Sequence, residues 1–104
     1  MFVLAEALTM STVEEHRAEL LEYLQEEEVR SNKEATIDAS NLRDIDTAGV
    51  QLLLSSFKTA TQKGLNLYLL NAGDYVLKML ELSGAADILG NICLAEKYSQ
   101  ENGG

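Results

Sequence analysis

The segment from residue 35 to residue 70 constrains the fold most, because it reads as a strand, a helix and a second strand in direct succession. Ala35 to Ala39 contains the β-branched residues typical of a buried strand, and Leu65 to Leu70 is a second apolar run of similar length. Between them, Thr47 to Lys63 has apolar residues at helical spacing, and Gly64 stands where a left-handed C-terminal cap belongs. This order predicts parallel strands joined by a crossover helix.

The rest of the chain continues the alternation of strands and helices. Phe2 to Leu8 predicts a short strand, and Ser11 to Glu28 predicts a helix that starts with capping-box spacing, at Ser11 and Glu14 or at Thr12 and Glu15. The remaining predictions are a loop over Val29 to Glu34, a loop over Asn41 to Asp46, a helix over Asp74 to Leu82, a helical turn over Ala85 to Leu89, and a last strand or helix start over Asn91 to Ala95.

These elements predict a single α/β domain over residues 1–98, followed by a flexible tail over residues 99–104. We expect a mixed, mostly parallel sheet of four to five strands, with helices packed mainly on one face.

The charge of the chain limits its partners. Seventeen acidic and eight basic residues give a net charge of −9, and twelve of the acids lie within the first 46 residues, with only four bases. Such a surface repels phosphate backbones and anionic membranes, so we expect neither nucleic-acid binding nor direct membrane insertion. A basic protein partner, or a simple role of the charge in solubility, fits better.

Several other features bear on compartment and chemistry. Cys93 is the only cysteine and cannot form an internal disulfide, the opening MFVLAEALTM lacks the basic region of a signal peptide, and no apolar run reaches membrane-helix length. We therefore expect a cytoplasmic protein. His16 is predicted to be a surface residue and Cys93 a buried, inert thiol, so no nucleophile and base are paired. With no glycine-rich phosphate loop and no metal-ligand cluster, the sequence predicts no enzyme and no cofactor.

The candidate site follows the strand that ends near Asp38. A loop at the carboxyl end of a parallel strand is where α/β proteins commonly place their sites, and here it leads into a helix that opens with Asp46, Thr47, Ala48 and Gly49. The free amides of a helix start would hold a phosphate on Thr47, while its charge would repel the nearby carboxylates. Small residues after Thr47 would let another molecule approach the backbone. The alternative is that Asp46 or Thr47 is only a helix N-cap.

The same stretch, IDASNLRDIDTAGVQLLL, resembles the signature of the STAS family, in which a strand end and a short loop precede Asp-Ser/Thr-small-Gly and a leucine-rich helix. The resemblance continues through KGLNLYLLN and VLKMLELSGAADILG and covers roughly Leu4 to Gly90. It implies a STAS-type fold and a signalling role like that of bacterial anti-sigma factor antagonists, which bind a partner protein to regulate transcription.

The resemblance also implies roles for individual residues. Thr47 would be the phosphoacceptor, with Ser40 a lesser candidate, and a kinase that is itself an anti-sigma factor would bind the unmodified form and release the phosphorylated one. A phosphatase would reverse the modification. The implied partner-binding residues are Asp38, Ser40, Asn41, Leu42, Arg43, Asp46, Thr47, Ala48, Gly49 and Val50.

Two departures from the family pattern leave alternatives open. Only Phe2 to Leu8 precedes the first helix, so the sheet edge is expected to be short, and an exposed edge favours self-association. The acceptor is threonine, and Asp-Thr-Ala-Gly also resembles the STAS subunits of lipid-transporting ABC systems. A constitutive interaction subunit of such a transporter, or of a chemotaxis or stress complex, is therefore the second hypothesis. A nucleotide site is a third, disfavoured because Arg43 is the only cation in the loop.

Overall fold

The structure is a computed structural model, and it describes residues 1–83. Predictions on residues 84–104, including those for Cys93, the last helical turn, the last strand and the tail, lie outside the described residues. In chain order the elements are β1 (Phe2–Val3), β2 (Ala7–Leu8), α1 (Val13–Leu24), α2 (Glu27–Asn32), β3 (Glu34–Asp38), β4 (Asp44–Ile45), α3 (Thr47–Gln62), β5 (Asn66–Leu70) and α4 (Asp74–Leu82).

The predicted α/β architecture is confirmed, with β3, α3 and β5 forming its centre. Strands β1, β3 and β5 pair in that order, all parallel, and β2 and β4 form a second parallel ladder. Side chains alternate across β3 and β5, so Ala35, Ile37, Leu67 and Leu69 are buried while the opposite face is partly exposed. The central strands therefore bury one face only, where the sequence had indicated fully buried strands.

The two ladders are successive parts of one pairing between residues 2–8 and residues 37–45. Val3 pairs with Asp38 and Ala7 with Asp44, so the second segment advances six positions while the first advances four. The extra residues loop out, and both Arg43 and Asp44 donate their amides to the carbonyl of Glu6, at 2.8 and 3.0 Å. The predicted single N-terminal strand is thus interrupted, and the loop after β3 is pushed toward solvent.

The segment after α1 differs from the prediction. The expected helix over Ser11 to Glu28 ends at Leu24, and the expected loop over Val29 to Glu34 contains the short helix α2. Glu26 has an extended backbone that separates the two helices, and burial of Val29 favours the second one. Polarity alone indicated a loop because α2 buries a single apolar side chain.

Neither capping box forms at the start of α1. The hydroxyl of Thr12, the N-cap residue, accepts the amide of Thr9 at 3.0 Å and donates to the carbonyl of Ala7 at 3.1 Å. It is thus committed to the turn that precedes the helix.

The prediction that His16 lies on the surface is wrong. Its side chain is 8% exposed, and Nδ1 lies 2.9 Å from the carbonyl oxygen of Thr12. A carbonyl only accepts, so Nδ1 carries the proton and the ring is held against its own helix. The prediction failed because the neighbours of His16 in the sequence are acidic residues of the exposed face of α1.

The end of α3 is as predicted. Gly64 has φ +72°, and the amide of Leu65 reaches back to the carbonyl of Ala60 at 2.8 Å, which closes the helix with a left-handed cap. Beyond β5, α4 has the predicted bounds and buries Val76 and Leu80. Within residues 1–83, none of the helices has the length and apolarity needed to cross a membrane.

Candidate functional site

The candidate site is the amino end of α3, which begins directly after β4. Thr47 is the first residue of the helix and its side chain is exposed. No hydrogen bond to its hydroxyl is present within the part of the chain that the structure describes. Thr47 is therefore a surface residue whose hydroxyl is not used to hold the helix.

The helix is capped by Asp46. Its Oδ1 accepts the amide of Gly49 at 3.1 Å, and its Oδ2 accepts the amide of Met10 at 2.9 Å. The Met10 amide, followed by the Gly49 amide, lowers the pKa of the Asp46 carboxyl, because both donors stabilise the charged form. The N-cap alternative thus holds for Asp46, and the carboxylate also joins α3 to the turn before α1.

Asp38 ends β3 and is held by the end of the neighbouring strand. Its Oδ1 accepts the side-chain amide of Asn71 at 3.0 Å and the backbone amide of Ser40 at 3.0 Å. The Asn71 hydrogen bond is the main reason that the pKa of Asp38 is lowered. Asn71 has a left-handed backbone, with φ 60°, which aims it back across the carboxyl edge of the sheet.

The predicted contact residues divide into a surface set and a supporting set. Ser40, Asn41, Arg43 and Thr47 are exposed, and Asp38, Asp46 and Ala48 are partly exposed. Leu42, Gly49 and Val50 are buried, and the side chains of Leu42 and Val50 support the surface from beneath.

Gly49 has a role that differs from the one expected. A Cβ at this position would lie 2.0 Å from the carbonyl oxygen of Leu8 and 2.9 Å from Cγ1 of Ile45. The glycine therefore lets α3 pack directly on the backbone of β2, and it does not open the helix to an outside molecule.

Two exposed apolar residues next to the site were missed by the sequence analysis. Met10 is 77% exposed and its amide is bonded to Asp46, while Tyr75 is 56% exposed and its hydroxyl donates to the carbonyl of Ile45 at 3.4 Å. Both thus lie beside the start of α3. The sequence carries no signal for this placement, because Met10 and Tyr75 come from segments far from Thr47.

The comparisons with known proteins were decisive for the family. The family model described as "Mlab, STAS domain" matches residues 1–91. The chain belongs to the STAS domain family. A search of curated proteins finds no match.

Members of the STAS family generally mediate protein–protein interaction and are not enzymes. In this STAS domain the residues around the start of α3 form an exposed surface. It has an exposed hydroxyl at Thr47, large apolar side chains at Met10 and Tyr75, and carboxylates at Asp38 and Asp46 that are already hydrogen-bonded. Exposed aromatic and methionine side chains with a polar surround are typical of contact surfaces between proteins.

Proposed function

We propose that this STAS domain is a cytoplasmic protein-binding switch, in which phosphorylation of Thr47 controls release from a kinase-type anti-sigma factor. The observation that carries the proposal is the exposure of Thr47 at the first position of α3 while Asp46 provides the cap. Because the fold does not depend on the Thr47 hydroxyl, that hydroxyl is available to a kinase.

The charge around Thr47 supports a release mechanism. The Asp46 carboxylate already occupies the positive end of α3, where it accepts the amide of Gly49. A phosphate on Thr47 adds roughly two negative charges beside it. The two groups repel, so the phosphate is expected to project toward the partner and to add charge at a position where Thr47 had contributed none.

The apolar neighbours of Thr47 supply the attractive part of the contact. Met10 and Tyr75 come from the turn before α1 and from the first turn of α4, and hydrogen bonds bring both to the start of α3. Buried aromatic and methionine anchors contribute most of the affinity at many interfaces. The partner is therefore expected to cover Met10 and Tyr75 together with Thr47.

The test compares Thr47→Ala and Thr47→Asp for binding to the purified kinase-type anti-sigma factor from the same cells. Thr47→Ala is expected to keep the affinity, and Thr47→Asp to weaken it about tenfold or more, since a charge is placed in the contact. Ser55→Asp is the matched control, because Ser55 is exposed on the same helix farther along. Ser40→Asp measures the lesser candidate in the same assay.

Mass spectrometry of the chain recovered from its own cells provides the second measurement. A phosphate on Thr47 that rises and falls with growth state supports the switch. If Thr47→Asp and Thr47→Ala behave alike and no phosphate is found in any state, the switch proposal fails.

A second candidate function is a constitutive interaction subunit, for example of a lipid-transporting ABC system. It is favoured by the description of the matching family model, which names Mlab. In that case Met10 and Tyr75 remain anchors and Thr47 is a contact residue that is never modified. Met10→Ala and Tyr75→Ala would then weaken the assembly. Thr47 would carry no phosphate in these variants or in the unmodified chain.

A further inference from the structure

A concave surface lies at the opposite end of the sheet from Thr47. It is a cavity of about 550 Å³ lined by Gln25, Arg30, Lys33, Lys63 and Leu65. Gln25 follows α1, Arg30 lies in α2, and Lys33 follows α2. Lys63 and Leu65 belong to the connection between α3 and β5. The cavity therefore opens at the amino ends of β3 and β5, whereas Thr47 follows their carboxyl ends.

The lining is basic in a protein that is otherwise acidic. Three of the eight basic residues of the chain line this cavity, and among residues 1–83 no carboxylate belongs to its lining. Residues 1–83 contain one ion pair, between Arg17 and Glu14. Within these residues, the three cations of the cavity therefore have no carboxylate within ion-pair distance. Among the described residues these three cations are thus not neutralised by ion pairs, although the exposed carboxylates of Glu28 and Glu34 lie close to Arg30 and Lys33 in the sequence.

The backbone beneath these cations is held by hydrogen bonds and by packing against the core. Lys33 has a left-handed backbone, with φ 58°, and its carbonyl accepts the amide of Asn66 at 2.9 Å, which ties it to the start of β5. Lys63 is the C-cap of α3, and Leu65, which is buried, forms the apolar floor. The cations are therefore carried by segments that pack against the core.

A simpler role for these cations is to offset the partial negative charge at the end of α3. Lys63 fulfils that role by itself. It does not account for Arg30, which lies in α2, or for the convergence of three cations on one cavity. An adjoining cavity of about 510 Å³ shares Gln25 and Arg30 and includes Glu27, which bounds the basic region on that side.

We propose that the cavity lined by Arg30, Lys33 and Lys63 binds a small anion that carries two or more linked phosphate groups. Arginine presents a planar fork that matches phosphate oxygens, and lysines supply compact charges. The volume lies within the range of small-molecule sites. The acidic remainder of the surface repels such anions, so binding is confined to this cavity. This site is independent of the function proposed for Thr47.

The test uses isothermal titration calorimetry of the full chain with inorganic pyrophosphate. One site is expected, with an affinity that falls as salt is raised, because the attraction is electrostatic. Arg30→Gln and Lys63→Gln are each expected to weaken binding about fivefold or more. The matched controls, Lys58→Gln and Lys78→Gln, remove exposed cations outside the cavity and are expected to leave the affinity unchanged. Urea unfolding verifies that all four variants are folded.

Other outcomes would overturn the proposal. An absence of heat with millimolar pyrophosphate would exclude the site, and equal weakening by the control variants would reduce the binding to general charge attraction. If an acidic peptide binds in an Arg30-dependent manner and pyrophosphate does not, the basic surface docks a protein and the phosphate site is rejected. ATP serves as a second probe. If Lys63→Gln weakens the binding of ATP and of pyrophosphate by the same factor, this supports recognition through the phosphates.

Discussion

Replacement of Gly49 by alanine sets local helix propensity against tertiary packing. Gly49 lies in the first turn of α3, where alanine is the better helix former by about 1 kcal/mol. From propensity alone, Gly49→Ala would stabilise the protein. The added Cβ, however, would lie 2.0 Å from the carbonyl oxygen of Leu8, whereas real Cβ atoms essentially never lie within 3.0 Å of a neighbour.

The clash cannot be relieved by a side-chain rotation, because the nearest atom belongs to the backbone of β2. The start of α3 must move away from β2 by at least about 1 Å, and overpacking of this severity costs about 3 kcal/mol. After the gain in propensity of about 1 kcal/mol, the free energy of unfolding is expected to fall by about 2 kcal/mol. The displacement also moves Thr47, so partner binding is expected to weaken with stability.

Urea unfolding followed by circular dichroism measures the effect, and the midpoint is expected to fall by about 1 to 2 M. Gly73→Ala is the matched control, because a Cβ at Gly73 meets nothing within 4 Å. Gly73 is the N-cap of α4, so this change is expected to cost at most about 1 kcal/mol. If Gly49→Ala is as stable as the unmodified chain, α3 does not pack on β2 as described, and the reasoning fails.

Two further predictions concern individual hydrogen bonds. Tyr23→Phe removes the hydroxyl that accepts the amide of Thr36 at 2.9 Å, which leaves a donor unpaired in the sheet. The free energy of unfolding is expected to fall by about 1 to 2 kcal/mol. An unchanged urea midpoint would contradict this prediction. Asp46→Asn keeps one acceptor but cannot accept the Met10 amide, so it is expected to be less stable at neutral pH. Because the folded pKa of Asp46 is lowered from 3.8, the contribution of the carboxylate is present above that pH and is lost as the pH falls below it. The stability difference between Asp46→Asn and the unmodified chain should therefore close in acid, and a difference that is constant from neutral pH to about pH 3 would refute the assignment.

Local patterns predicted the central part of the fold and failed at its edge. The helix from Thr47 and the cap at Gly64 were predictable, because apolar spacing and capping chemistry act between residues close in sequence. The division of the N-terminal strand into β1 and β2 was not. It arises from the register with residues 37–45, where the two paired segments differ in length between Val3 and Ala7.

The candidate site, like the fold, could be predicted from the sequence only in part. The ordered motif around Thr47 indicated that Asp38 and Thr47 lie at one edge of the sheet, because parallel strands place their carboxyl ends together. It did not reveal that Asn71 holds Asp38, or that Met10 and Tyr75 flank the helix start. These residues lie about thirty or more positions from their partners, and no local periodicity encodes such a contact.

By itself, the sequence determined the α/β class, the strand–helix–strand centre and the family, because hydrophobic spacing, cap residues and an ordered motif are readable along the chain. The tertiary structure alone decided how each residue of the candidate site is placed and bonded. It assigned the cap to Asp46, left Thr47 exposed, made Gly49 a packing requirement, and gathered Arg30 and Lys63 around one cavity. The physical reason is that strand register and helix packing place distant residues side by side, and charge and burial at a site depend on those neighbours.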